Sequence, residues 1–241
     1  MAEYYELAPP PRLADCVECL WVMCQPNESE VVHRVLPDGC ADIVFTAGDS
    51  KTSLHVAGAM THFADFSILP GQSLVGIRFH PGMWAARFGV SADCLTDQLF
   101  SLEELWGKRA RTLLDQISNA RSAQQYASLL AASIPPGQAL SPLQRALAWM
   151  RSRHGLVSLA DAAWRTGLSV RQFRRLCLRE TGLSPKILAR ILRFRYALSR
   201  VGAEAGLHAS LAADCGYFDQ SHFIAEFQRF SGATPANYLL R

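Results

Sequence analysis

Arginine side chains crowd one side of a short predicted helix that begins after Ser169. At helical spacing, the apolar residues of this segment fall on the opposite side, so the arginines face outward. A guanidinium group donates hydrogen bonds in a flat fork, which suits phosphate oxygens and the major-groove edge of guanine. An ordinary solvated helix surface is the open alternative. The outward residues are Arg171, Arg174, Arg175, Leu178 and Arg179, and the inward residues are Val170, Phe173, Leu176 and Cys177.

A second segment, Gly216 to Tyr238, has the same layout with a less charged outward side. Asp219 is placed to cap a helix, Gly232 to end it, and Pro235 to begin the next one. An apolar stripe at i, i+4 and i+7 predicts the buried side of this helix, and we interpret its residues, Phe223, Phe227 and Phe230, as core. The outward residues are Gln220, Ser221, His222, Ala225 and Arg229.

The two segments are copies of one pattern. Each has a helix with small alanines, a glycine, a short turn, an amphipathic helix, a second glycine and a Ser/Thr-Pro pair, which is typical of a helix-turn-helix unit. The long helical segment Lys186–Val201 would join the copies. The pairs fifty residues apart are Phe173 and Phe223, Gly182 and Gly232, and Pro185 and Pro235, whereas Gly167 and Gly216 are forty-nine apart. The second helix of each unit is the one expected to enter a major groove.

The distribution of charge separates the part of the chain that contains the two copies from the part before it. Residues 1–140 contain nine basic and fifteen acidic residues, whereas residues 141–241 contain fifteen basic and six acidic ones. An acidic part joined to a basic part predicts two domains and a polyanionic partner for the second. The N-terminus has no basic and apolar leader, and no apolar run is long enough to cross a bilayer, so we expect a cytoplasmic protein without a membrane partner.

The first part of the chain reads as short strands between turns such as Pro37-Asp38-Gly39. Residues 1–15 are expected to be irregular because of their prolines. We predict a β-sandwich or small barrel over residues 1–134 with C-terminal helices, a linker at 135–142, and an all-α domain over 143–241, which together make an α+β chain. The predicted strands are Val17–Cys24, Val31–Leu36, Cys40–Ala47, Leu54–Gly58, Phe63–Leu69 and Ser73–His80, and the predicted helices before the linker are Met83–Phe88, one after Ser101, Arg109–Ile117 and Ala123–Ser133.

Metal binding, thiol redox chemistry and enzymatic activity have weaker support in the sequence. Cys16, Cys19 and Cys24 could supply thiolates to a metal or a redox switch, but their spacing along a strand sends them to different faces. Lone histidines among the strands, at His33, His55, His62 and His80, have no His-x-His pair with a following Glu. We therefore expect no enzyme, no metal and no cofactor. A thiol- or metal-based sensor or enzyme with a DNA-docking domain is the alternative, and a nucleoid-type binder without promoter specificity is a third possibility.

Residues 143–241 strongly resemble the C-terminal domain of AraC/XylS-type bacterial transcription regulators. The residues that match include Gly216-Tyr217, Gly232-x-Thr234-Pro235 and, in the first copy, Gly182-x-Ser184-Pro185. The resemblance implies seven helices, with two reading helices in successive major grooves. Carried over by position, the base-reading candidates are Arg171, Gln172, Arg174 and Arg175 in the first copy, and Gln220, Ser221, His222 and Ala225 in the second.

The N-terminal part is similar to a β-rich domain that precedes this DNA-binding domain in some regulators, through Leu36–Ile43 and Gly76–Gly82. The resemblance implies a sensory domain for a small-molecule effector. The expected partners are double-stranded promoter DNA, this effector and RNA polymerase, and a homodimer is an open alternative to a monomer.

Overall fold

The computed structural model describes residues 3–25, 29–48, 52–135, 139–203 and 209–239. The strand-rich N-terminal domain contains an antiparallel six-stranded sheet with the strand order β1-β2-β7-β4-β5-β8. A separate two-stranded sheet pairs β3 with β6. The strands are β1 (Glu3–Leu7), β2 (Val17–Cys24), β3 (Val31–Val35), β4 (Ala41–Ala47), β5 (Ser53–Ala57), β6 (Ala64–Ile68), β7 (Ser73–Phe79) and β8 (Leu99–Ser101).

Four helices pack on one face of the six-stranded sheet. They are α1 (Met83–Phe88), α2 (Leu102–Trp106), α3 (Lys108–Ser118) and α4 (Ala123–Ser133), and two short 3₁₀ helices lie at Pro11–Leu13 and Ala92–Leu95. Alternate strand residues such as Ile43, Phe45 and Val75 form a buried core with these helices. On the opposite face, Trp21 and Met23 pack against Ile68 of the two-stranded sheet. The sheet is therefore open at its edges and covered on both faces.

All six predicted strands are present, to within one or two residues at each end. The expectation that residues 1–15 are irregular is wrong, because β1 pairs with β2 from Glu3↔Cys24 to Leu7↔Leu20. The prolines follow this strand and form a 3₁₀ turn. Sequence analysis also missed β8, whose three residues pair with β5. Asp49, Gly206 and residues 136–138 of the predicted linker lie outside the described residues.

The C-terminal domain is helical, as predicted. Apart from the helix Ala209–Asp214, each element starts after a capping residue or at a proline, and most breaks coincide with a glycine, so local sequence determines these boundaries. In the described residues the domain has seven helices: α5 (Pro142–Ser152), α6 (Leu159–Trp164), α7 (Val170–Thr181), α8 (Pro185–Ala203), α9 (Ala209–Asp214), α10 (Gln220–Ser231) and α11 (Pro235–Tyr238). None of the helices described is both long and apolar enough to cross a bilayer.

The two domains pack against each other. Leu36 and Ala59 of the strand-rich domain belong to the helical core, and α7 lies against α1 and the 3₁₀ helix Ala92–Leu95. The imidazole of His80 contacts the Arg151 guanidinium through Nδ1. Burial, together with the charge of Arg151, lowers the pKa of His80 to about 4, so the ring is neutral near pH 7 and accepts this hydrogen bond.

Candidate nucleic-acid interface

Helix α7 presents the arginine-rich side of the first unit to solvent. Its N-terminus is fixed by a capping box, in which the Ser169 hydroxyl accepts from the Gln172 amide and the Gln172 side chain accepts from the Ser169 amide. Phe173 and Cys177 are completely buried beneath the helix. The residues predicted to face outward and the base-reading candidate Gln172 are all exposed; the outward residues are Arg171, Arg174, Arg175, Leu178 and Arg179.

Two details of α7 differ from the sequence interpretation. Val170 was expected to face inward, but it is 37% exposed because it occupies the first turn, ahead of the buried stripe. Arg179 is exposed, yet its guanidinium is bound by Glu180 at 2.7 Å and lies at the end of the helix next to the strand-rich domain. The free guanidinium groups of this face are therefore concentrated at Arg171, Arg174 and Arg175.

Helix α10 repeats the arrangement with a polar surface. The Asp219 carboxylate caps it by accepting from the His222 amide at 2.7 Å. Phe223, Phe227 and Phe230 are each at most 3% exposed, in agreement with the predicted core stripe. The outward residues Gln220, Ser221, His222, Ala225 and Arg229 are all exposed. A surface with one arginine offers fewer charged contacts to phosphates than α7 does.

Helices α7 and α10 end in the same hydroxyl-stabilised turn, which sequence analysis missed. The Thr181 hydroxyl contacts the Cys177 and Leu183 carbonyls at 2.8 and 3.0 Å. Fifty residues later, the Ser231 hydroxyl contacts the Phe227 and Ala233 carbonyls at 2.8 Å each. Both side chains are buried. The sequence does contain a signal for this turn, because hydroxyl residues occupy the equivalent positions 181 and 231 of the two copies.

Glu226 is a buried carboxylate on α10 that sequence analysis also missed. Its side chain is 3% exposed and accepts from Arg190 Nε of α8 at 2.6 Å. Arg193 and His222 lie farther from it, at 4.0 and 3.7 Å. Arg190, one of the basic residues counted in the sequence, therefore forms an ion pair inside the domain and holds α10 against α8. The position fifty residues earlier is Leu176, so the first unit lacks this ion pair.

Two aromatic side chains near the turns of the helix-turn-helix units are exposed. Phe218, which is 92% exposed, directly precedes the capping residue of α10 and accounts for the extra residue in the second turn. Trp164, at the end of α6, is 80% exposed. Single exposed apolar side chains are common on protein surfaces, so these two residues do not by themselves mark a contact site.

The cysteines do not converge. Cys16 lies in the core beneath the helices, whereas Cys19 lies in the cluster on the opposite face of the sheet. Burial raises the pKa of both thiols, that of Cys19 to about 12, which favours the neutral form over a reactive thiolate. No group of three His, Cys, Asp or Glu side chains suited to a metal ion occurs within the part of the chain that the structure describes.

The two N-terminal motifs meet at the boundary with the helical domain. Arg78 Nε lies 3.1 Å from Asp38 and 3.4 Å from Asp42, which links strand β7 to the turn before β4. The neighbouring Gly39 packs against the Leu188 side chain of α8, and Gly82 packs against Leu147 of α5. These motifs therefore shape the contact between the domains.

A cavity of about 470 Å³ lies at the same boundary, beside α7. Its walls come from α1, the start of α5, the turn before α7 and the end of α7. They are more apolar than polar and include the charged residues Arg87, Arg179 and Glu180. The lining residues include Met83 and Ala86 of α1, Leu168 of the turn and Leu176 of α7.

Comparison with known proteins matches both domains. Residues 162–241 match the family model described as "Helix-turn-helix domain". Residues 5–101 match the model described as "Domain of unknown function (DUF6597)". The two matches agree with the strand-rich and helical domains of the structure.

Similar sequences include transcriptional activators. The HTH-type transcriptional activator RhaR of Yersinia pestis bv. Antiqua (strain Angola) is 28% identical over 129 residues, which cover 54% of this chain and 44% of that protein. RhaR of Yersinia pseudotuberculosis serotype O:3 (strain YPIII) is 27% identical over the same length. The chain thus spans less than half the length of these relatives.

Solved structures show weaker similarity. The DNA-binding domain of AdpA, a global transcriptional factor in complex with a target DNA, is 24% identical with a TM-score of 0.39, covering 42% of this chain and 92% of that one. ToxT from Vibrio cholerae is 12% identical with a TM-score of 0.46, covering all of this chain and 97% of that one.

Proposed function

We propose that this chain, whose C-terminal part is a helix-turn-helix domain of the AraC/XylS type, is a sequence-specific DNA-binding transcription regulator and has no enzymatic activity. The observation that carries the proposal is the duplicated unit. Two capped helices, α7 and α10, are built on equivalent buried residues, and both expose polar side chains. We assign DNA contacts to these outward side chains, with Arg171, Arg174 and Arg175 contributing most of the charge.

The helix that joins the units has a suitable length. Helix α8 has 19 residues, which corresponds to about 28 Å at the usual rise per residue. Successive major grooves on one face of DNA are about 34 Å apart. A connecting helix of this length supports the assignment of one reading helix to each of two successive grooves.

We expect binding to operator DNA to weaken steeply with salt. Phosphate contacts by arginine release counterions. With one phosphate neutralised by each of Arg171, Arg174 and Arg175, the log–log slope is about −2.7, so raising the salt concentration from 50 to 200 mM should lower the affinity by roughly 40-fold. The measurement is a gel-shift or fluorescence titration of the full chain on a DNA site selected from a random library. A flat salt response would contradict the role of the arginine-rich face.

The same titration on a scrambled sequence of equal composition separates a regulator from a general DNA-coating protein. A regulator protects its selected site at concentrations at which the scrambled DNA is still free. Equal protection of both sequences would instead support the nucleoid-type alternative.

We further propose that a small organic effector binds in the cavity between α1, the start of α5 and α7. Its volume of about 470 Å³ lies within the range of about 300–1,000 Å³ of small-molecule sites. A ligand there would touch the strand-rich domain at Met83 and the first reading helix at Leu176, so it could change DNA binding directly. The apolar walls favour a ligand with an apolar body.

Filling this cavity should abolish the effector response. Ala86→Trp places an indole in the cavity, and we expect DNA binding that no longer changes with effector while the basal affinity stays within about threefold. The measurement is a DNA titration with and without metabolites that shift the wild-type affinity. The control is Ser128→Trp, which adds the same side chain at an exposed position of α4. A normal response in Ala86→Trp would exclude this cavity.

We propose the domain division 1–134 and 143–241 with a linker at 135–142, a cytoplasmic location, and promoter DNA with RNA polymerase as partners. A homodimer is the alternative to a monomer, and sedimentation of the full chain with and without DNA distinguishes them.

A further inference from the structure

Both reading helices end at a glycine that touches the strand-rich domain. Gly182 and Gly232 occupy the same position in the two repeats and have φ values of 75° and 74°, in the left-handed region. Neither glycine lies on the surface expected to face DNA. The two contacts come from different parts of the strand-rich domain, one from the segment after α1 and one from the two-stranded sheet.

The first attachment is made by Thr96. Its hydroxyl donates to the Gly182 carbonyl at 2.7 Å. The backbones approach so closely that a Cβ atom on Gly182 would lie 2.8 Å from the Ala92 carbonyl oxygen. Ser91 adds a longer hydrogen bond, from its hydroxyl to the Arg179 carbonyl at 3.4 Å. The end of α7 is thus held against the 3₁₀ helix Ala92–Leu95.

The second attachment is made by Arg34 of β3. Its Nη1 donates to the Ser231 carbonyl at 3.3 Å, and its guanidinium lies 4.2 Å from the centre of the Phe63 ring. Asp65 on the paired strand accepts two hydrogen bonds of 2.6 Å from the same guanidinium and fixes its orientation. A Cβ atom on Gly232 would lie 2.7 Å from Phe63, so this contact is also close.

We propose that Thr96 and Arg34 are positioning residues that set the distance and rotation between the two reading helices. They thereby select the spacing of the two DNA half-sites. This inference rests on the proposed function. Neither residue is assigned a DNA contact, and each acts through the turn at the end of a reading helix.

The physical reason is that the two attachments provide a second connection between the units. Within the helical domain, α8 joins them, and bending or twisting along one helix would let them shift. The strand-rich domain links their ends separately. Moving a half-site by one base pair displaces it by about 3.4 Å and rotates it by about 34° around the DNA axis. A doubly connected pair of helices tolerates such a change poorly.

The experiment measures the affinity of the full chain for a series of DNA sites in which one selected half-site is moved by one base pair in either direction. Spacing discrimination is the ratio of the affinities for the preferred and the shifted sites. We expect Thr96→Val and Arg34→Gln each to lower this ratio by roughly 5- to 10-fold. This factor corresponds to the one hydrogen bond that each side chain makes to the helical domain. Affinity for a DNA carrying a single half-site should stay unchanged.

Matched controls separate positioning from general damage. Thr112→Val removes an exposed hydroxyl on α3, and Arg111→Gln breaks an ion pair with Glu103, both in the strand-rich domain and without a contact to the helical domain. Both should keep the wild-type spacing profile. Thr96→Ser retains the hydroxyl and should behave as the wild type.

The outcomes are distinct. An unchanged spacing ratio in Thr96→Val and Arg34→Gln would overturn this inference and leave the proposed function standing. An equal loss of affinity at every spacing and on the single half-site would overturn it as well, because that pattern indicates destabilisation. A wild-type chain without any sequence preference in the library selection would overturn both.

Discussion

Replacing Glu226 with alanine is expected to destabilise the helical domain by about 3–5 kcal/mol. The side chain is 3% exposed and bound to Arg190 Nε at 2.6 Å, and Arg190 itself is only 18% exposed. Removing the carboxylate leaves a largely buried guanidinium without its partner, which costs more than the ion pair itself contributes. Chemical denaturation of the full chain, followed by circular dichroism, measures the change.

Two further variants test the cause. Glu226→Gln keeps an oxygen that can accept from Arg190 and should recover part of the loss. Glu180→Ala removes a glutamate from the other reading helix, where the partner Arg179 is 56% exposed, and should cost less than about 1 kcal/mol. Equal free energies of unfolding for Glu226→Ala and Glu180→Ala would show that the buried pair contributes nothing specific.

Replacing Arg171 or Arg175 with alanine is expected to weaken specific DNA binding by about 1–3 kcal/mol, roughly 5- to 150-fold, and to relax base preference at one half-site. Both side chains are exposed on α7, so the substitutions should leave the fold intact. Ser221→Ala on α10 should cost about 1 kcal/mol or less, since it removes an uncharged hydrogen-bonding group. Titration against the selected site and single-base variants of it measures both effects.

A charge-matched control is Arg121→Ala, an exposed arginine of the strand-rich domain. It changes the net charge by the same amount and should change the affinity by less than about threefold. If Ser221→Ala cost more than Arg171→Ala and Arg175→Ala, the second unit would be the main reader. Equal losses for Arg121→Ala and Arg175→Ala would point to general charge attraction.

Local sequence predicted most elements because their signals act over a few residues. Ser169 and Asp219 cap α7 and α10 as expected, and Gly182 and Gly232 end them. Strands β2 to β7 were found from short apolar runs between turns. Strand β1 was missed because its first four residues are exposed and it is stabilised by pairing with β2, which its own sequence does not reveal.

The candidate nucleic-acid interface could be predicted in part from the sequence. Every residue proposed to face DNA is exposed, because helical periodicity and the buried phenylalanine stripe together define the outward side. The roles of Arg190 and Glu226 were not predictable, since these residues are thirty-six positions apart and meet only when α10 packs on α8. Charge counting includes Arg190 among the fifteen basic residues of 141–241 but does not show which of them are paired inside the domain.

The sequence by itself determined the duplicated helix-turn-helix pattern and the solvent-facing sides of α7 and α10, which we propose for DNA contact, because periodicity, caps and glycine breaks are encoded within each segment. Only the tertiary structure decided how the two units are attached to the strand-rich domain and to α8. The contacts of Thr96 with Gly182, of Arg34 with Ser231, and of Glu226 with Arg190 join residues that are distant in the chain. Their partners are selected by packing between elements, which no local pattern specifies.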